Sequence, residues 1–263
     1  MRLTLCLLAL SCAAVPLASA LADAPLPEAA TAHPDLWPKA HSVGLVDPAT
    51  EAKITKMMAE MSVREKVGQM IQPSIAAMKP EELREYPVGS ILGGGNDPPL
   101  SGNDRGPASD WIATAEAFRQ VSIEKRPGHV PIPVIFGMDS VHGNSNVFGA
   151  TIFPHNIGLG AMRDPALMEK IGQVTAAESA ASGFDWAFGP TVTVPQDDRW
   201  GRAYEGYSER PEITREYSAA MVRGLQGAPG KSRIQNGNVA ASIKHFLADG
   251  GTHGGIDQGD AQA

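Results

Sequence analysis

The chain has 263 residues, of which 43% are hydrophobic and 19% are charged, an ordinary globular balance with room for one large domain or two small ones. The formal net charge is −7 and no basic run stands out. This charge pattern excludes a nucleic acid or an anionic membrane surface as the expected partner.

Residues 1–20 have the pattern of a secretory signal peptide. Arg2 supplies the positive start, residues 3–17 form a short apolar core, and Ala18-Ser19-Ala20 is a small-x-small cleavage site, with cleavage after residue 22 as a second option. The apolar core is too short for a membrane span. The sequence therefore predicts a periplasmic or secreted protein, with no membrane association.

Both cysteines, Cys6 and Cys12, lie within this predicted signal peptide. The mature chain would have no disulfide, so it must rely on a large core, which favours a sizeable enzyme over a small cross-linked module. A lipoprotein acylated at Cys12 is the alternative, although Ala9 occupies the place where such signals carry a large aliphatic residue.

The mature chain divides into a predicted leader, residues 21–46, which is rich in proline and alanine, and a main domain, residues 47–263. In the main domain, capping residues and prolines at first helical positions predict helices. In chain order, these helices run from Asp47-Pro48 to about Met61, from the capping box Ser62-x-x-Glu65 to Met70, over 109–125 with Ser109 or Asp110 as the cap, from Asp164-Pro165 to about Ser182, and from Pro211 to about Gly227.

Four apolar runs between the helices predict strands, at 88–92, 132–138, 184–188 and 239–243. Strands that are apolar on both faces and separated by helices indicate a parallel sheet covered by helices. This α/β pattern fits either a (β/α)8 barrel or an open doubly wound sheet. Gly93 to Gly95 lacks the spacing of a nucleotide-binding loop, so no nucleotide cofactor is indicated.

Polar and charged side chains follow three of the predicted strands. Asp139 follows the second strand, a loop with Arg202 follows the third, and Lys244 and His245 follow the fourth. In both α/β architectures the ligand site lies at the carboxyl ends of the strands, so we expect these side chains to converge.

The converging residue types suit a sugar. Asp139 can accept two hydroxyl hydrogen bonds, while Arg202, Lys244 and His245 can donate. Hydrogen bonds to charged groups contribute roughly 1.5–3 kcal/mol each. A zinc site is not indicated, because the histidines lack close spacing and the mature chain has no cysteine.

Several side chains near these strand ends also have structural explanations. Asp139 could cap the turn that follows it, whereas Lys244 after a buried strand needs a partner, because burying an unpaired ammonium is costly. We expect Arg199 and Glu205 to form ion pairs within their loop, and Trp200 to pack there. Ordinary loop positions are expected for three histidines: His142, His155 and His253.

Four stretches in this order resemble glycoside hydrolase family 3, the family of β-glucosidases and exo-acting β-glucanases. They are "PIPVIFGMDSVHG" (131–143), "GATIFPHNIGLGAMRDP" (149–165), "DDRWGRAYEGYSE" (197–209) and "VAASIKHFLADGG" (239–251), and the resemblance extends from about residue 45 to 260. The resemblance implies a (β/α)8 or similar TIM-type barrel, of which this chain would form the amino-terminal half to two-thirds.

The same resemblance implies roles for the strand-end residues. Asp139, Arg202, Lys244 and His245 match the family's ligands of the non-reducing terminal glucose. The family's retaining mechanism needs a nucleophile and an acid/base carboxyl about 5–5.5 Å apart. By resemblance, both are expected beyond Ala263, the acid/base in a second domain, so no catalytic residue is assigned here and the chain alone is expected to be inactive. It is also expected to be prone to aggregation, because half a barrel leaves a parallel edge and an apolar face uncovered.

The implied reaction of the full-length enzyme is hydrolysis of terminal β-D-glucosyl residues from β-glucosides or β-glucan oligosaccharides, without a cofactor or metal. One alternative is the family's β-N-acetylhexosaminidase branch, but residues 247–249 are Leu-Ala-Asp where that branch has Pro-Gly. The other is a non-catalytic periplasmic sugar-binding protein. Two departures from the family pattern, Asp198 and Arg210, leave the geometry of the loop that carries Arg202 open.

Overall fold

The part of the chain described below is given by a computed structural model. It comprises residues 47–103, 105–230, 234–235 and 237–261. The predicted signal peptide (1–20) and leader (21–46) lie outside these described residues.

A parallel sheet of four strands organises the described chain. The strands are β1 (Ser90–Gly93), β2 (Ile135–Met138), β3 (Trp186–Ala187) and β4 (Ala240–Ala241), and they pair in the order β1-β2-β3-β4. A doubly wound sheet reverses its strand order at a switch point, whereas a barrel adds each strand beside the previous one. The observed order is that of a barrel, which confirms the prediction of an α/β fold containing part of a (β/α)8 barrel.

Six α-helices accompany the strands in the described residues. They are α1 (Pro48–Glu60), α2 (Val63–Gly68), α3 (Ala108–Ser122), α4 (Asn156–Ala161), α5 (Pro165–Ala181) and α6 (Pro211–Gln226). All but α4 occur where the sequence predicted helices. None of the helices in the described part of the chain is long and apolar enough to cross a membrane.

The helix starts follow from local capping. Asp47 accepts a hydrogen bond from Thr50 N, and Ser62 and Glu65 form the predicted capping box, so α1 and α2 begin as expected. The prediction for α3 was wrong in detail: the N-cap is Pro107, whose side chain cannot cap, and neither Ser109 nor Asp110 precedes the helix.

Two hydrophobic clusters hold the helices against the sheet. The first joins β1, β2 and α3 and contains the aromatic residues Trp111, Phe118, Phe136 and Phe184. The second lies among β3, β4 and helices α4 to α6, with Met168, Tyr217, Met221, Leu225 and Val239 at its centre. Each fully buried side chain of this size contributes about 1.5–3 kcal/mol. This packing fixes the carboxyl ends of the strands, where the candidate site lies.

The strands are shorter than the sequence predicted. β2 begins at Ile135 instead of residue 132. Pro131 and Pro133 explain part of this difference, because proline has no N–H group to donate to the neighbouring strand.

Helix α4 was not predicted. Its N-cap is His155, whose Nδ1 accepts a hydrogen bond from Asn156 N, and histidine is not a standard N-cap residue.

Candidate functional site

An ion pair joins the ends of two strands. Asp139 directly follows β2, and Lys244 lies three residues after β4. The Lys244 Nζ to Asp139 Oδ1 distance is 2.5 Å, with the lysine side chain 18% exposed and the carboxylate 45% exposed. Backbone hydrogen bonds of Lys244 to Val192 and Pro190 hold this position against the segment that follows β3. The partner expected for the ammonium group of Lys244 is therefore Asp139.

Arg202 is held by a bidentate contact within its own loop. It precedes the short 3₁₀ helix Ala203–Glu205, which brings Glu205 back towards it. Arg202 Nε donates to Glu205 Oε1 at 2.7 Å, and its terminal Nη2 donates to Oε2 at 3.0 Å. These hydrogen bonds raise the pKa of the Arg202 guanidinium above its ordinary value. The expected loop ion pair of Glu205 is confirmed, with Arg202 as its partner.

His245 lies between this arginine and a second carboxylate. Its Nε2 is 3.0 Å from Arg202 Nη2, and its Nδ1 is 2.7 Å from Asp249 Oδ2. Both ring nitrogens are thus occupied by protein groups. His245 was expected to donate a hydrogen bond to a ligand, but its Nε2 faces a guanidinium, which only donates, so here Nε2 is an acceptor.

A cleft of about 240 Å³ opens at this edge of the sheet. Three of the four predicted ligands, Asp139, Arg202 and Lys244, line this cleft, whereas His245 lines a second pocket. The complete cleft lining is Asp139, Val141, His142, Gly143, Ser145, His155, Arg202, Glu205 and Lys244. The convergence of strand ends that the sequence predicted is therefore present.

His142 and His155, which were expected to be ordinary loop residues, both line the wall of the cleft. The rings of His142 and His155 have centroids 4.4 Å apart. His142 Nδ1 donates to Phe153 O at 2.8 Å. Burial, and secondly the neighbouring His142, lower the pKa of His155 below its usual 6.5. A sequence signal existed for His142, because it follows Asp139 by three residues in the same strand-end loop.

Four other residues of the loop that carries Arg202 do not line the cleft: Asp197, Asp198, Arg199 and Trp200. Trp200 is 2% exposed and donates its indole N–H to Asp257, so it packs as expected. Arg199 forms an ion pair with Asp197. Hydrogen bonds from the Arg199 side chain, and secondly from its backbone N–H, lower the pKa of Asp197 to about 2. Asp198, one of the two departures from the family pattern, is exposed and does not line the cleft.

The cleft is chemically suited to holding hydroxyl groups. Its two carboxylates are each paired with a cation, Asp139 with Lys244 and Glu205 with Arg202. Neither is a free carboxylate of the kind that attacks a sugar. Among the described residues, no group of three His, Cys, Asp or Glu side chains could hold a metal ion.

The sequence of the chain matches a family model and curated proteins. The model of the "Glycosyl hydrolase family 3 N terminal domain" matches residues 62–262. The lysosomal beta glucosidase of Dictyostelium discoideum is 30% identical over 214 residues, which cover 76% of this chain and 26% of that protein. The chain spans about a quarter of the length of this relative and of the periplasmic beta-glucosidase of Salmonella typhimurium.

Solved structures of a glucanase and of a glucosidase are also similar to this chain. The crystal structure of an exo-1,3/1,4-beta-glucanase from a Pseudoalteromonas species has a TM-score of 0.78 and 47% identity, covering 82% of this chain and 27% of that one. The beta-glucosidase from Listeria innocua in complex with glucose has a TM-score of 0.62 and 27% identity, covering 80% of this chain and 28% of that one.

Proposed function

The chain belongs to glycosyl hydrolase family 3, and we propose that it supplies the sugar-holding part of an exported retaining enzyme that removes terminal β-D-glucosyl residues from β-glucosides or β-glucans. The observation that carries the proposal is the convergence of Asp139, Arg202 and Lys244 on one cleft at the carboxyl ends of parallel strands. The exo-glucanase and the glucose-bound β-glucosidase named above support glucose as the bound unit.

The free hydrogen-bonding capacity of these residues matches a polyol. Arg202 uses its Nε–H and its Nη2 group on Glu205 and His245. Its other terminal nitrogen, Nη1, has no hydrogen-bond partner among the described residues, so we assign its two N–H groups to a ligand. Lys244 gives one proton to Asp139 and has two more to donate. Asp139 is 45% exposed, so its carboxylate can accept hydrogen bonds from the hydroxyls of a ligand. Such contacts orient the anomeric carbon for attack.

The bond-breaking carboxylates are proposed to come from outside these 263 residues. A retaining mechanism requires a nucleophile and an acid/base carboxyl about 5–5.5 Å apart. Asp139 and Glu205 are committed to cations, and we assign them to binding and positioning. The purified chain is therefore expected not to hydrolyse an aryl β-D-glucoside, and measurable turnover that disappears in Asp139→Asn would contradict this assignment.

Direct titration tests the binding role. Calorimetric or NMR titration of the purified chain with D-glucose should give saturable binding. Asp139→Asn and Lys244→Ala should each weaken it by at least about tenfold, because each removes a hydrogen bond to a charged group. Asp198→Asn, an exposed carboxylate in the loop of Arg202, is the matched control and should bind normally.

The same titration discriminates among sugars. Stronger binding of N-acetylglucosamine than of glucose would move the chain to the β-N-acetylhexosaminidase branch. A folded chain that binds neither sugar would overturn the proposed function.

Export is proposed from residues 1–20 alone. N-terminal sequencing of the protein recovered from a periplasmic extract tests this proposal, and the sequence is expected to begin after residue 20 or 22.

A further inference from the structure

Four side chains from two short segments, 202–205 and 245–249, form one continuous row beside the cleft. In order they are Asp249, His245, Arg202 and Glu205, and the three successive contacts measure 2.7, 3.0 and 2.7 Å. Only Arg202 and Glu205 of this row line the cleft. Asp249 stands at the far end, on the 3₁₀ helix Asp249–Gly251, with its side chain 19% exposed.

The contacts within this row determine which ring nitrogen of His245 carries the proton. A guanidinium has five N–H donors and no acceptor, so the contact between Arg202 Nη2 and His245 Nε2 requires a lone pair on Nε2. The ring proton then lies on Nδ1. Asp249 Oδ2 accepts that proton's hydrogen bond at 2.7 Å. Charged groups on both sides of the ring therefore select the same neutral tautomer.

Asp249 is itself held in place for this contact. Its other carboxylate oxygen, Oδ1, accepts from Gly250 N at 3.1 Å. Gly250 is buried, and a Cβ there would overlap the Thr193 hydroxyl and lie 2.8 Å from the Val194 backbone. The segment that carries Asp249 is thus closely packed against the chain after β3, which leaves Oδ2 directed at the imidazole.

We propose that Asp249 is a positioning residue for the sugar site: by accepting the Nδ1–H of His245, it keeps Nε2 an acceptor and so holds Arg202 against the cleft. The inference rests on the proposed function and adds to it a residue outside the cleft. If the proton moved to Nε2, two N–H donors would face each other across 3.0 Å. Arg202 would then retain Glu205 as its only partner in the row and would turn away from its ligand-binding direction.

The tautomer can be measured without any sugar. The chain is labelled with ¹⁵N at its histidines, and the His245 signals are identified by their loss in His245→Asn. In the wild-type protein at neutral pH, Nδ1 should carry the proton and Nε2 should have the shift of an unprotonated nitrogen. Asp249→Ala should raise the fraction of the Nε2–H form, and Asp249→Glu should restore the wild-type pattern in part.

Asp197→Ala is the matched control. Asp197 is a carboxylate in the loop of Arg202 that pairs with Arg199 and does not contact His245. It should leave the His245 signals and glucose affinity unchanged. Asp249→Ala should weaken D-glucose binding by about tenfold, as expected when one charged donor loses its orientation.

The outcomes separate this inference from the proposed function. A wild-type His245 that carries its proton on Nε2 overturns the inference without any variant. An unchanged tautomer and affinity in Asp249→Ala also overturns it. If the tautomer shifts as expected but the wild-type chain does not bind glucose, the proposed function fails while the link between Asp249 and His245 is supported.

Discussion

The pair formed by Lys244 and Asp139 illustrates a charge contact that stability alone does not explain. Asp139 is 45% exposed, and ion pairs in contact with water contribute about 0–1 kcal/mol to stability. Arg199 and Asp197 form a similar contact, in which the cation is the exposed partner, at 76%, and the carboxylate is 22% exposed. A half-open pair on the wall of a cleft is better explained by what it offers a ligand, namely a fixed acceptor and spare ammonium protons.

Glu65 is the opposite case, a buried carboxylate with a structural role. It is 4% exposed and accepts four hydrogen bonds, two from Ser62 and one each from His129 and Val130 N. These contacts tie the start of α2 to the segment that precedes β2. Burial acts to raise the pKa of Glu65, but the hydrogen bonds outweigh it, and the pKa lies below the ordinary value of 4.5.

This lowered pKa predicts an acid-sensitive stability. A group whose pKa is lower in the folded than in the unfolded state stabilises the fold above the unfolded value, and this stabilisation is lost as pH falls through the folded value. The free energy of unfolding of the wild-type chain should therefore decrease below about pH 4.5. In Glu65→Gln it should already be lower at pH 7, by about 1–3 kcal/mol, because an amide cannot accept all four bonds.

Urea unfolding at pH 7 and at successively lower pH values measures both effects. The pH-dependent loss should be smaller in Glu65→Gln than in the wild type. Glu60→Gln, an exposed glutamate at the end of α1, is the control and should follow the wild-type curve. Parallel curves for wild type and Glu65→Gln would show that Glu65 is not the responsible group.

Among the secondary structure elements, helices α5 and α6 approach each other closely enough for their backbones to touch. Gly172 of α5 faces Gly224 of α6, and a Cβ on Gly224 would lie 2.7 Å from the Gly172 Cα and would overlap the carbonyl oxygen of Glu169. Both contacts are with backbone, which cannot rotate away. This close approach lets side chains of both helices join β3 and β4 in one hydrophobic cluster.

Gly224→Ala should therefore destabilise the chain although alanine is the better helix former. Overpacking costs about 1–3 kcal/mol, and because the neighbours are backbone atoms we expect the upper part of that range. Gly158→Ala in α4 is the matched control, since its Cβ would meet only the Pro154 Cβ at 3.5 Å; this change should be neutral or stabilise by up to about 1 kcal/mol. Thermal and urea unfolding of both variants tests the contrast, and equal effects would contradict it.

The elements also explain how much of the molecule the sequence could predict. Helices α1 and α2 were predicted because Asp47 and Ser62 cap them locally. The site residues after β2 and β4 were predicted because parallel topology brings strand ends together. Glu205 was expected in an ion pair, but its partner and the role of Asp249 depend on the path of loops without periodicity. Neither hydropathy nor capping specifies such a path.

At the scale of the whole described molecule, the sheet has one apolar face beside β4 that packing leaves open. This open face comprises Val192, Val194, Ile243, Phe246 and Leu247, which line two adjoining pockets that share the two valines. Ile243 is 53% exposed, Phe246 87% and Leu247 75%. Contiguous apolar surface of this kind is a site of association or aggregation, and β4 is also an edge strand in the described sheet.

The open face predicts that the purified chain associates with itself. In sedimentation velocity, the wild-type sedimentation coefficient should rise with protein concentration, because burying apolar surface yields about 25 cal/mol per Å². The double variant Phe246→Ser, Leu247→Ser should shift this rise to higher concentration. The control is Phe148→Ser, Ile152→Ser, a pair that is 78% and 62% exposed but does not line these pockets. Since both doubles remove similar exposed residue types, only the position of the surface distinguishes them. A wild-type chain that sediments as a monomer at every concentration, or a control that suppresses association equally, would show that the open face is not the cause.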